Sequence, residues 1–228
     1  MILRRSIEQV PNSPPKPPTK PSGFGSLISV AIAFALGIGL AVFAYKAVKP
    51  DVWPKRFAEV VPGKVYRSSE LSPAALEQLV RRTGLKTVID LGVAPDGDPR
   101  DRRQQLAAQA LGLHRYKFQL VGDSTGNPNE YLAALRLALD PANQPVLIHC
   151  ATGSQRTSCA IALFRMAAQG YTADQALAES ADFDAKSKVG DVTRAIAPKV
   201  MKALKDGGSI PGEPPVIVVP AAPIAARP

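Results

Sequence analysis

Short apolar runs alternate with longer mixed stretches from about residue 57 to residue 206. Three of these runs are rich in β-branched or alternating apolar residues and predict strands, at 85–91, 113–120 and 145–149. Capping residues followed by proline predict the start of three helices, at Ser72-Pro73, Asp98-Pro99 and Asn127-Pro128. Further helices are predicted from about 156 to 169, after Thr172, and near 191–205. This alternation predicts an α/β fold, with a mostly parallel central sheet flanked by helices.

The apolar segment at residues 26–45 has a different pattern, with no charged residue and no polar stripe. Twenty helical residues at 1.5 Å each span about 30 Å, which matches the core of a bilayer. The segment therefore predicts an N-terminal transmembrane helix and a single-pass membrane protein. A cleaved signal peptide is the alternative, although its apolar region is usually shorter. Basic residues flank the segment on both sides, so the positive-inside rule leaves the side of the membrane open.

Prolines concentrate at the two ends of the chain, with six at residues 11–21 and six at residues 211–228. Such stretches are extended and cannot build a packed core. The predicted organisation is therefore a Pro-rich basic tail, a transmembrane helix, a linker, one catalytic domain and a disordered Pro-rich tail, at 1–25, 26–45, 46–56, 57–206 and 207–228.

Charge and cysteine content narrow the class of partner. The formal net charge of +9 favours anionic partners, but the basic residues are dispersed and no aromatic-interleaved cluster indicates nucleic acid. Cys150 and Cys159 are the two cysteines. Nine residues on one helix separate them by about 13 Å, too far for a disulfide. The better expectation is a free thiol that takes part in the function of the protein.

The stretch "HCATGSQRT", from His149 to Thr157, carries the candidate chemistry. Small and flexible residues between a strand and a helix let successive backbone N–H groups converge on one anion, aided by the helix dipole. Arg156 can close this nest with a guanidinium that binds two phosphate oxygens. The same field lowers the pKa of the Cys150 thiol and makes it a nucleophile aimed at phosphorus. Taken alone, Cys150 would read as a small buried residue at a strand end.

These residues match the HC-x-x-G-x-x-RT signature, and the chain resembles the dual-specificity branch of the protein tyrosine phosphatase superfamily, of a bacterial membrane-anchored type. The segments "PGKVYRSSELSP" (62–73) and "GLKTVIDL" (84–91) resemble the opening of bacterial and fungal members. The resemblance covers roughly 57–206 and implies the cysteine-based phosphatase fold. It also implies a hydrolase that needs no metal and no cofactor.

The resemblance assigns roles around the loop. Cys150 would be the nucleophile and Arg156 the phosphate clamp. His149 would orient the loop and help to lower the pKa of the thiol, and Thr157 would stabilise the leaving thiolate. The phosphate-binding loop would comprise Ala151, Thr152, Gly153, Ser154, Gln155 and Arg156.

A general acid is expected some 25–35 residues before the cysteine, and Asp123 lies 27 residues upstream. It would protonate the leaving oxygen and then activate water. The alternative is an Asx-turn residue in a Gly- and Asn-rich loop. Asp96 and Asp98 are poorer candidates for this acid. Arg67 and Ser68 would belong to a structural or substrate-facing opening segment.

Three functions compete. The leading one is a membrane-anchored protein tyrosine or dual-specificity phosphatase acting through a phosphocysteine intermediate. The alternative with the same fold is an inositol phosphate or phospholipid phosphatase, although the variable loop positions contain no lysine or extra arginine to hold further phosphates. The third is a catalytically silent phosphate-binding module. The expected partners are thus a phosphorylated protein or a phosphorylated small molecule or lipid.

Overall fold

A computed structural model of the protein describes residues 31–40, 42–43 and 54–221. The chain divides into two units, Met1–Tyr45 and Lys46–Pro228. The described residues of the first unit are helical and exposed. None of the helices in the described ranges combines the length and the apolar character needed to cross a bilayer. The predicted transmembrane segment, 26–45, lies partly outside the described residues and stays a prediction.

The second unit is built on a five-stranded sheet. Its strands are β1 (Ala58–Val61), β2 (Val65–Ser69), β3 (Thr87–Asp90), β4 (His114–Lys117) and β5 (Val146–Cys150). Their order across the sheet is β1-β2-β5-β3-β4. All neighbouring pairs are parallel except the antiparallel hairpin β1–β2. The predicted mostly parallel α/β sheet is confirmed.

Six α-helices surround this sheet. They are α1 (Pro73–Thr83), α2 (Pro99–Ala110), α3 (Pro128–Leu139), α4 (Gln155–Gln169), α5 (Ala173–Ala178) and α6 (Lys188–Asp206), with 3₁₀ turns at Pro141–Asn143 and Glu179–Phe183. The predicted caps form: side chains of Ser72, Asp98 and Asn127 accept backbone N–H groups of the first turns of α1, α2 and α3. These caps fix where the connections from strand to helix end.

The hairpin β1–β2 is absent from the sequence prediction. All five residues of β2 are buried, and β2 pairs with β5 in register Ser69 to Cys150. Its sequence, "VYRSS", contains only two apolar residues. The hydrophobic pattern could not reveal a buried strand whose interior positions are an arginine and two serines.

The sheet is buried on both faces. Ile148 of β5 belongs to the larger core cluster, which also holds buried residues of α3, α4 and α6. Leu147 belongs to the second cluster, which holds buried residues of α1. Successive residues of one strand thus face opposite helical layers, and β5 runs through the middle of the fold.

Residues 207–221, the C-terminal segment, contact the domain at several points; the predicted disordered tail was 207–228, of which 222–228 lie outside the described residues. Ile210 is buried, and its N–H donates to the Asn129 side chain on α3 at 2.8 Å. The Asn129 amide donates in turn to the Pro214 carbonyl at 3.1 Å. Ala221 N–H donates to the Arg115 carbonyl on β4 at 2.7 Å. The contacts with α3 arise because an asparagine on that helix satisfies backbone groups that prolines leave without a regular partner.

Candidate active site

The loop from Cys150 to Arg156, the phosphate loop, joins the end of β5 to the first turn of α4. β5 lies between β2 and β3, and all of its residues are buried. Because these three strands are parallel, their carboxyl ends meet at one edge of the sheet. The loop therefore lies where open α/β sheets bind ligands.

Gly153 gives the phosphate loop its tight path. Its φ of +71° lies in the left-handed region, which residues with a Cβ rarely adopt. A Cβ at this position would lie 2.5 Å from the backbone nitrogen of Ser69 and 2.6 Å from the carbonyl oxygen of Ser68. The loop passes against the end of β2 so closely that no side chain fits.

Arg67 holds the phosphate loop from the outside. Its Nη2 donates to the Gly153 carbonyl at 2.8 Å and to the Ser158 hydroxyl at 3.0 Å. Its guanidinium carbon lies 3.5 Å from the centre of the Phe183 ring. Burial lowers the pKa of Arg67 to about 10, so the side chain stays charged at neutral pH. Of the two predicted roles, the geometry matches the structural one.

The Cys150 thiol lies at the floor of the phosphate loop and is only 1% exposed. Burial by itself raises the pKa of this thiol. The Thr157 hydroxyl, the Arg156 charge and the backbone N–H groups of Thr157 and Thr152 together outweigh burial, and the pKa lies below its usual value. The loop therefore favours a thiolate, the form that can attack phosphorus.

The Arg156 side chain is anchored at one end and open at the other. Its Nη1 donates to three backbone carbonyls, those of Leu91 (3.1 Å), Gly92 and Leu120 (3.3 Å). Its Nε is buried and has no hydrogen-bond partner among the described residues. Such an atom costs free energy unless it is paired. The guanidinium is thus held in place through Nη1, and its Nε–H is available to an anion.

Asp90 positions the carbonyls that anchor Arg156. Its Oδ1 accepts the N–H groups of Gly92 and Val93, both at 2.9 Å. Its Oδ2 forms an ion pair with Arg115 at 2.6 Å, and both side chains are buried. Asp90 thus fixes the turn after β3 and acts on the site only through the backbone.

His149 is buried, and its part in lowering the pKa of the Cys150 thiol stays a prediction. Burial lowers the pKa of His149, so the ring is neutral near pH 7. Its Nδ1 has no hydrogen-bond partner in the described part of the chain. A neutral ring supplies no positive charge to the thiol. Its backbone carbonyl accepts Leu91 N–H at 2.9 Å and so links the strand end to the Arg156 anchor.

Of the remaining loop residues, two line the cleft and two form hydrogen bonds to neighbouring segments. Thr152 and Gln155 line an open cleft above the loop. The Ser154 hydroxyl donates to the Asp184 carbonyl at 2.8 Å, and Ala151 accepts the Glu70 N–H at 3.4 Å. The loop is therefore tied to the segment before α6 as well as to β2.

Asp123 reaches the same cleft from the loop before α3. Its Oδ1 accepts the N–H of Thr125 at 3.0 Å and the Thr125 hydroxyl at 2.5 Å. Its Oδ2 pairs with Lys188 at the start of α6. The hydrogen bond from Lys188 and those from Thr125 hold the pKa of Asp123 well below its usual range. In this arrangement Asp123 is a carboxylate and cannot donate a proton.

Five charged residues surround the opening of the cleft and are called the mouth here: Arg56, Asp123, Asp184, Lys186 and Lys188. The cleft has a volume of about 370 Å³. Arg56 pairs with Asp184 at 2.5 Å and donates to the Thr152 carbonyl at 2.8 Å. Lys186 forms no ion pair with any residue in the described ranges. Across these same ranges, no cluster of His, Cys, Asp or Glu side chains is suited to a metal ion.

The sequence analysis selected Asp123 but missed the cations of the mouth. It weighed basic residues only within the phosphate loop, whereas the cations come from before β1 and from the start of α6. Lys186 and Lys188 lie about 30 residues after Arg156, and Arg56 lies 100 residues before it. The only sequence signal was two lysines separated by one residue, which is also typical of a solvated connection.

Comparison with known proteins identifies the family to which this geometry belongs. The sequence profile described as the tyrosine phosphatase family matches residues 51–198. The inositol diphosphatase SIW14 of Saccharomyces cerevisiae is 34% identical over 121 residues, which are 51% of this chain and 41% of that protein. The inositol diphosphatase DSP2 of Oryza sativa is 33% identical over 114 residues, which are 49% and 54% of the two chains. This chain spans about half the length of these curated relatives.

A solved structure shows the same fold. The core catalytic domain of the PP-IP phosphatase SIW14 from S. cerevisiae, in complex with citrate, superposes with a TM-score of 0.57 at 26% identity. The match covers 68% of this chain and 94% of that catalytic domain. The likeness therefore covers nearly the whole of the compared domain.

Proposed function

This chain belongs to the tyrosine phosphatase family of cysteine-based phosphatases, and we propose that it hydrolyses small substrates carrying several phosphates, of the inositol phosphate or inositol diphosphate class. The proposed reaction runs through a phosphocysteine intermediate on Cys150. This reading favours the small-molecule alternative of the sequence analysis over a protein substrate.

The observation that carries the proposal is the cationic mouth beside the phosphate loop. The loop binds one phosphoryl group through its N–H groups and Arg156. Arg56, Lys186 and Lys188 line the same cleft, and Lys186 has no carboxylate partner in the described residues. A substrate with further phosphates can pair with Lys186, and with Arg56 and Lys188 where it displaces their carboxylate partners, while one phosphoryl group lies over the thiol. A substrate with a single phosphate leaves them unused.

The relatives support the same class. Both curated relatives named above are inositol diphosphatases, and the solved catalytic domain is that of a PP-IP phosphatase. The region matched by the family profile, 51–198, excludes the N-terminal unit and the C-terminal segment. The substrate of this chain is therefore proposed from its own mouth residues and supported by the relatives.

The proposed chemistry has two steps. The Cys150 thiolate attacks phosphorus, an S–P bond forms, and the bond from phosphorus to the leaving oxygen breaks. The loop N–H groups and Arg156 stabilise the charge on the equatorial oxygens. Water then attacks the phosphocysteine, releasing inorganic phosphate and restoring the thiolate, which the Thr157 hydroxyl stabilises. Asp123 is the proposed proton donor of the first step and the proposed base of the second, when it is free of Lys188.

A phosphotyrosine protein is the second candidate. The thiol lies at the floor of the loop and is almost fully buried, so a phosphoryl group must reach it on a spacer. A tyrosine ring is such a spacer, whereas the shorter side chain of phosphoserine is not. A silent phosphate-binding module is the least supported candidate, because the thiol, Arg156 and Thr157 are all in place.

A substrate panel tests the proposal. The full chain is assayed for phosphate release from an inositol diphosphate, inositol hexakisphosphate, a phosphatidylinositol phosphate in mixed micelles and a phosphotyrosine peptide, beside Cys150→Ser. We expect the largest kcat/KM for the inositol diphosphate. A larger kcat/KM for the phosphotyrosine peptide would replace the proposal with the second candidate. No turnover of any substrate, with phosphate still bound, would indicate a silent module.

Membrane attachment through the N-terminal segment remains a proposal. It is supported by a segment without charge at 26–45 and by exposed apolar side chains in its described helical residues, such as Phe34 and Leu36. Fractionation of cells that express the full chain tests it. Recovery of the protein in the membrane pellet after a carbonate wash is the expected result, and recovery in the supernatant would refute it.

A further inference from the structure

The ion pair between Asp123 and Lys188 joins two segments that both border the cleft. Asp123 lies in the loop between β4 and α3, and Lys188 is the first residue of α6. Both oxygens of the carboxylate accept hydrogen bonds, Oδ2 from Lys188 and Oδ1 from Thr125. Both partners are partly exposed, at 39% for Asp123 and 58% for Lys188. The pair is therefore accessible to an incoming substrate.

The loop that carries Asp123 is held in place, so the pair is not an incidental contact of a free chain end. Ser124 adopts a φ of +75° and is fully buried, although it is not glycine. Its carbonyl accepts the Tyr131 hydroxyl at 3.0 Å. These contacts anchor the residue next to Asp123 and aim the carboxylate at the start of α6.

Leaving groups differ in their need for a proton. A phenol oxygen such as that of tyrosine has a pKa of about 10 and leaves slowly unless an acid protonates it. The second pKa of a phosphate ester is about 6, so a phosphate departs readily as an anion at neutral pH. A carboxylate that is held ionised handicaps the first class of substrate and leaves the second almost unaffected.

We propose that Lys188 is a specificity-determining residue that acts through Asp123. By holding the carboxylate ionised, it suppresses cleavage of phosphate esters with poor leaving groups and retains cleavage of phosphoanhydrides, whose leaving group is a phosphate. The inference deepens the proposed function and rests on it for the anhydride substrate. Lys188 is a positioning residue in this scheme, and the proton donor remains Asp123.

The other charged groups around Asp123 do not replace Lys188. Lys186 lines the same cleft but forms no ion pair with Asp123. Arg56 is held by Asp184 and by the Thr152 carbonyl. On its own loop, Thr125 is the hydrogen-bond donor to the carboxylate. From the phosphate loop, Thr152, Ser154 and Gln155 face the cleft and carry no charge. Lys188 is thus the cation that decides the state of Asp123.

The test compares aryl phosphates whose phenols differ in acidity. The dependence of kcat/KM on the pKa of the leaving phenol is measured for the full chain, Lys188→Met, Lys188→Arg and Lys202→Met. Lys202 is the matched control, because it forms an exposed pair with Asp206 on the same helix. Removal of Lys188 is expected to flatten this dependence and to raise kcat/KM for unsubstituted phenyl phosphate by about tenfold. Lys188→Arg and Lys202→Met should retain the steep dependence.

The pH profile supplies a readout that a merely structural role would not change. Asp123 must be protonated to act as an acid, and its protonated fraction falls as the pH rises above its pKa. Lys188 lowers that pKa. Lys188→Met should therefore move the acid-dependent limb of the phenyl phosphate profile to higher pH. Neither Lys188→Arg nor Lys202→Met should move it.

The double variant Asp123→Asn/Lys188→Met decides the mechanism. The gain on phenyl phosphate should vanish in this background, because no acid remains to be released. A gain that persists without Asp123, or an equal loss on all aryl phosphates in Lys188→Met, would overturn the inference. The aryl series needs no diphosphate activity, so its outcome is independent of the proposed function. A chain that fails on inositol diphosphates but shows the flattened dependence refutes only that function.

Discussion

The floor and the mouth of the site are built in opposite ways. At the floor, Cys150, Arg67 and Asp90 are almost fully buried, and each is fixed by contacts to backbone atoms or by a buried ion pair. At the mouth, the side chains are more exposed, and each carboxylate forms an ion pair with one arginine or lysine, as Asp123 does with Lys188. Buried pairs are costly to break, whereas exposed ones contribute about 0–1 kcal/mol.

This difference indicates that the floor determines the chemistry and that the mouth determines which substrate is preferred. In the proposed mechanism, the floor performs the same step for any phosphoryl group and tolerates little change. The mouth can exchange one ion pair for another at small cost in stability and so can change the preferred substrate. A substitution at the floor should therefore abolish turnover or destabilise the fold, and one at the mouth should change the ranking of substrates.

The largest loss of activity is expected from a substitution in the floor. Gly153→Ala forces a Cβ against the backbone of Ser69 at a positive φ, so the loop must shift. A displacement of about 1 Å costs on the order of 100-fold in rate, and kcat should fall at least this much for every substrate. Steady-state assays measure it. Gly208→Ala is the matched control, since no atom lies within 4 Å of the point that its methyl group would occupy, and its activity should be unchanged.

Removal of the outer support of the loop should be the next largest effect. Arg67→Met leaves the Gly153 carbonyl and the Ser158 hydroxyl without this donor in a buried place. Loss of about 2 kcal/mol in the free energy of unfolding is expected, together with a lower kcat. Denaturant unfolding measures it. Arg81→Met, which removes an exposed pair with Glu77, should change stability by less than about 0.5 kcal/mol. Equal effects of the two variants would contradict the distinction between floor and mouth.

Lys186→Met tests whether the mouth contributes to substrate preference. The lost charge should lower kcat/KM for an inositol diphosphate by about tenfold, since a charge-assisted contact contributes about 1.5–3 kcal/mol. For a simple aryl phosphate, kcat/KM should stay within about twofold. The ratio of the two substrates, measured side by side, is the decisive quantity. Parallel losses on both would indicate that Lys186 supports the fold and not a second phosphate.

A smaller effect is expected in the pH dependence of alkylation at the two cysteines. Hydrogen bonds and Arg156 hold the pKa of Cys150 below its usual value, so its alkylation by iodoacetamide should reach half its maximal rate at a lower pH than that of an ordinary cysteine thiol. Thr157→Val removes a hydroxyl that lowers this pKa and should move the midpoint upward. In Cys150→Ser, alkylation near neutral pH should be absent, because burial raises the pKa of Cys159 to about 11. Labelling followed by mass spectrometry reports both.

Salt should give the smallest effect and should separate the two regions without any substitution. Exposed charges more than about 8 Å apart are largely screened at 0.15 M ionic strength, whereas buried groups are much less affected. We expect a few-fold rise in KM for an inositol diphosphate between low and physiological salt, with kcat nearly constant. A comparable fall in kcat would show that the floor, too, depends on exposed charge.

The sequence predicted the floor well because its parts are contiguous. Cys150, Gly153 and Arg156 fall within seven residues between a strand and a helix whose patterns are clear, and the parallel sheet then fixes their place. The strand β2 was missed because its buried positions hold Arg67, Ser68 and Ser69. The partners of Arg67 lie more than 80 residues away, and no periodicity reports such a contact.

The mouth could not be predicted for the same reason. Arg56, Asp123 and Lys188 come from three separate parts of the chain, and each alone looks like an ordinary surface residue. Asp123 was found through its spacing from Cys150, but that spacing could not reveal Lys188, whose ion pair lowers the pKa of the carboxylate. Long-range pairs of exposed charges leave no pattern in the sequence.

The C-terminal segment contacts one edge of the sheet. β4 is the outermost strand of a parallel sheet, and an open edge of this kind can recruit a strand from another copy. Ala221 occupies the Arg115 carbonyl on that edge, and Pro220 beside it has no N–H to offer a further strand. The proline-rich segment thus covers part of the β4 edge, although β1 forms a second edge, and a chain cut before Ile210 should aggregate more readily than the full chain in light-scattering measurements.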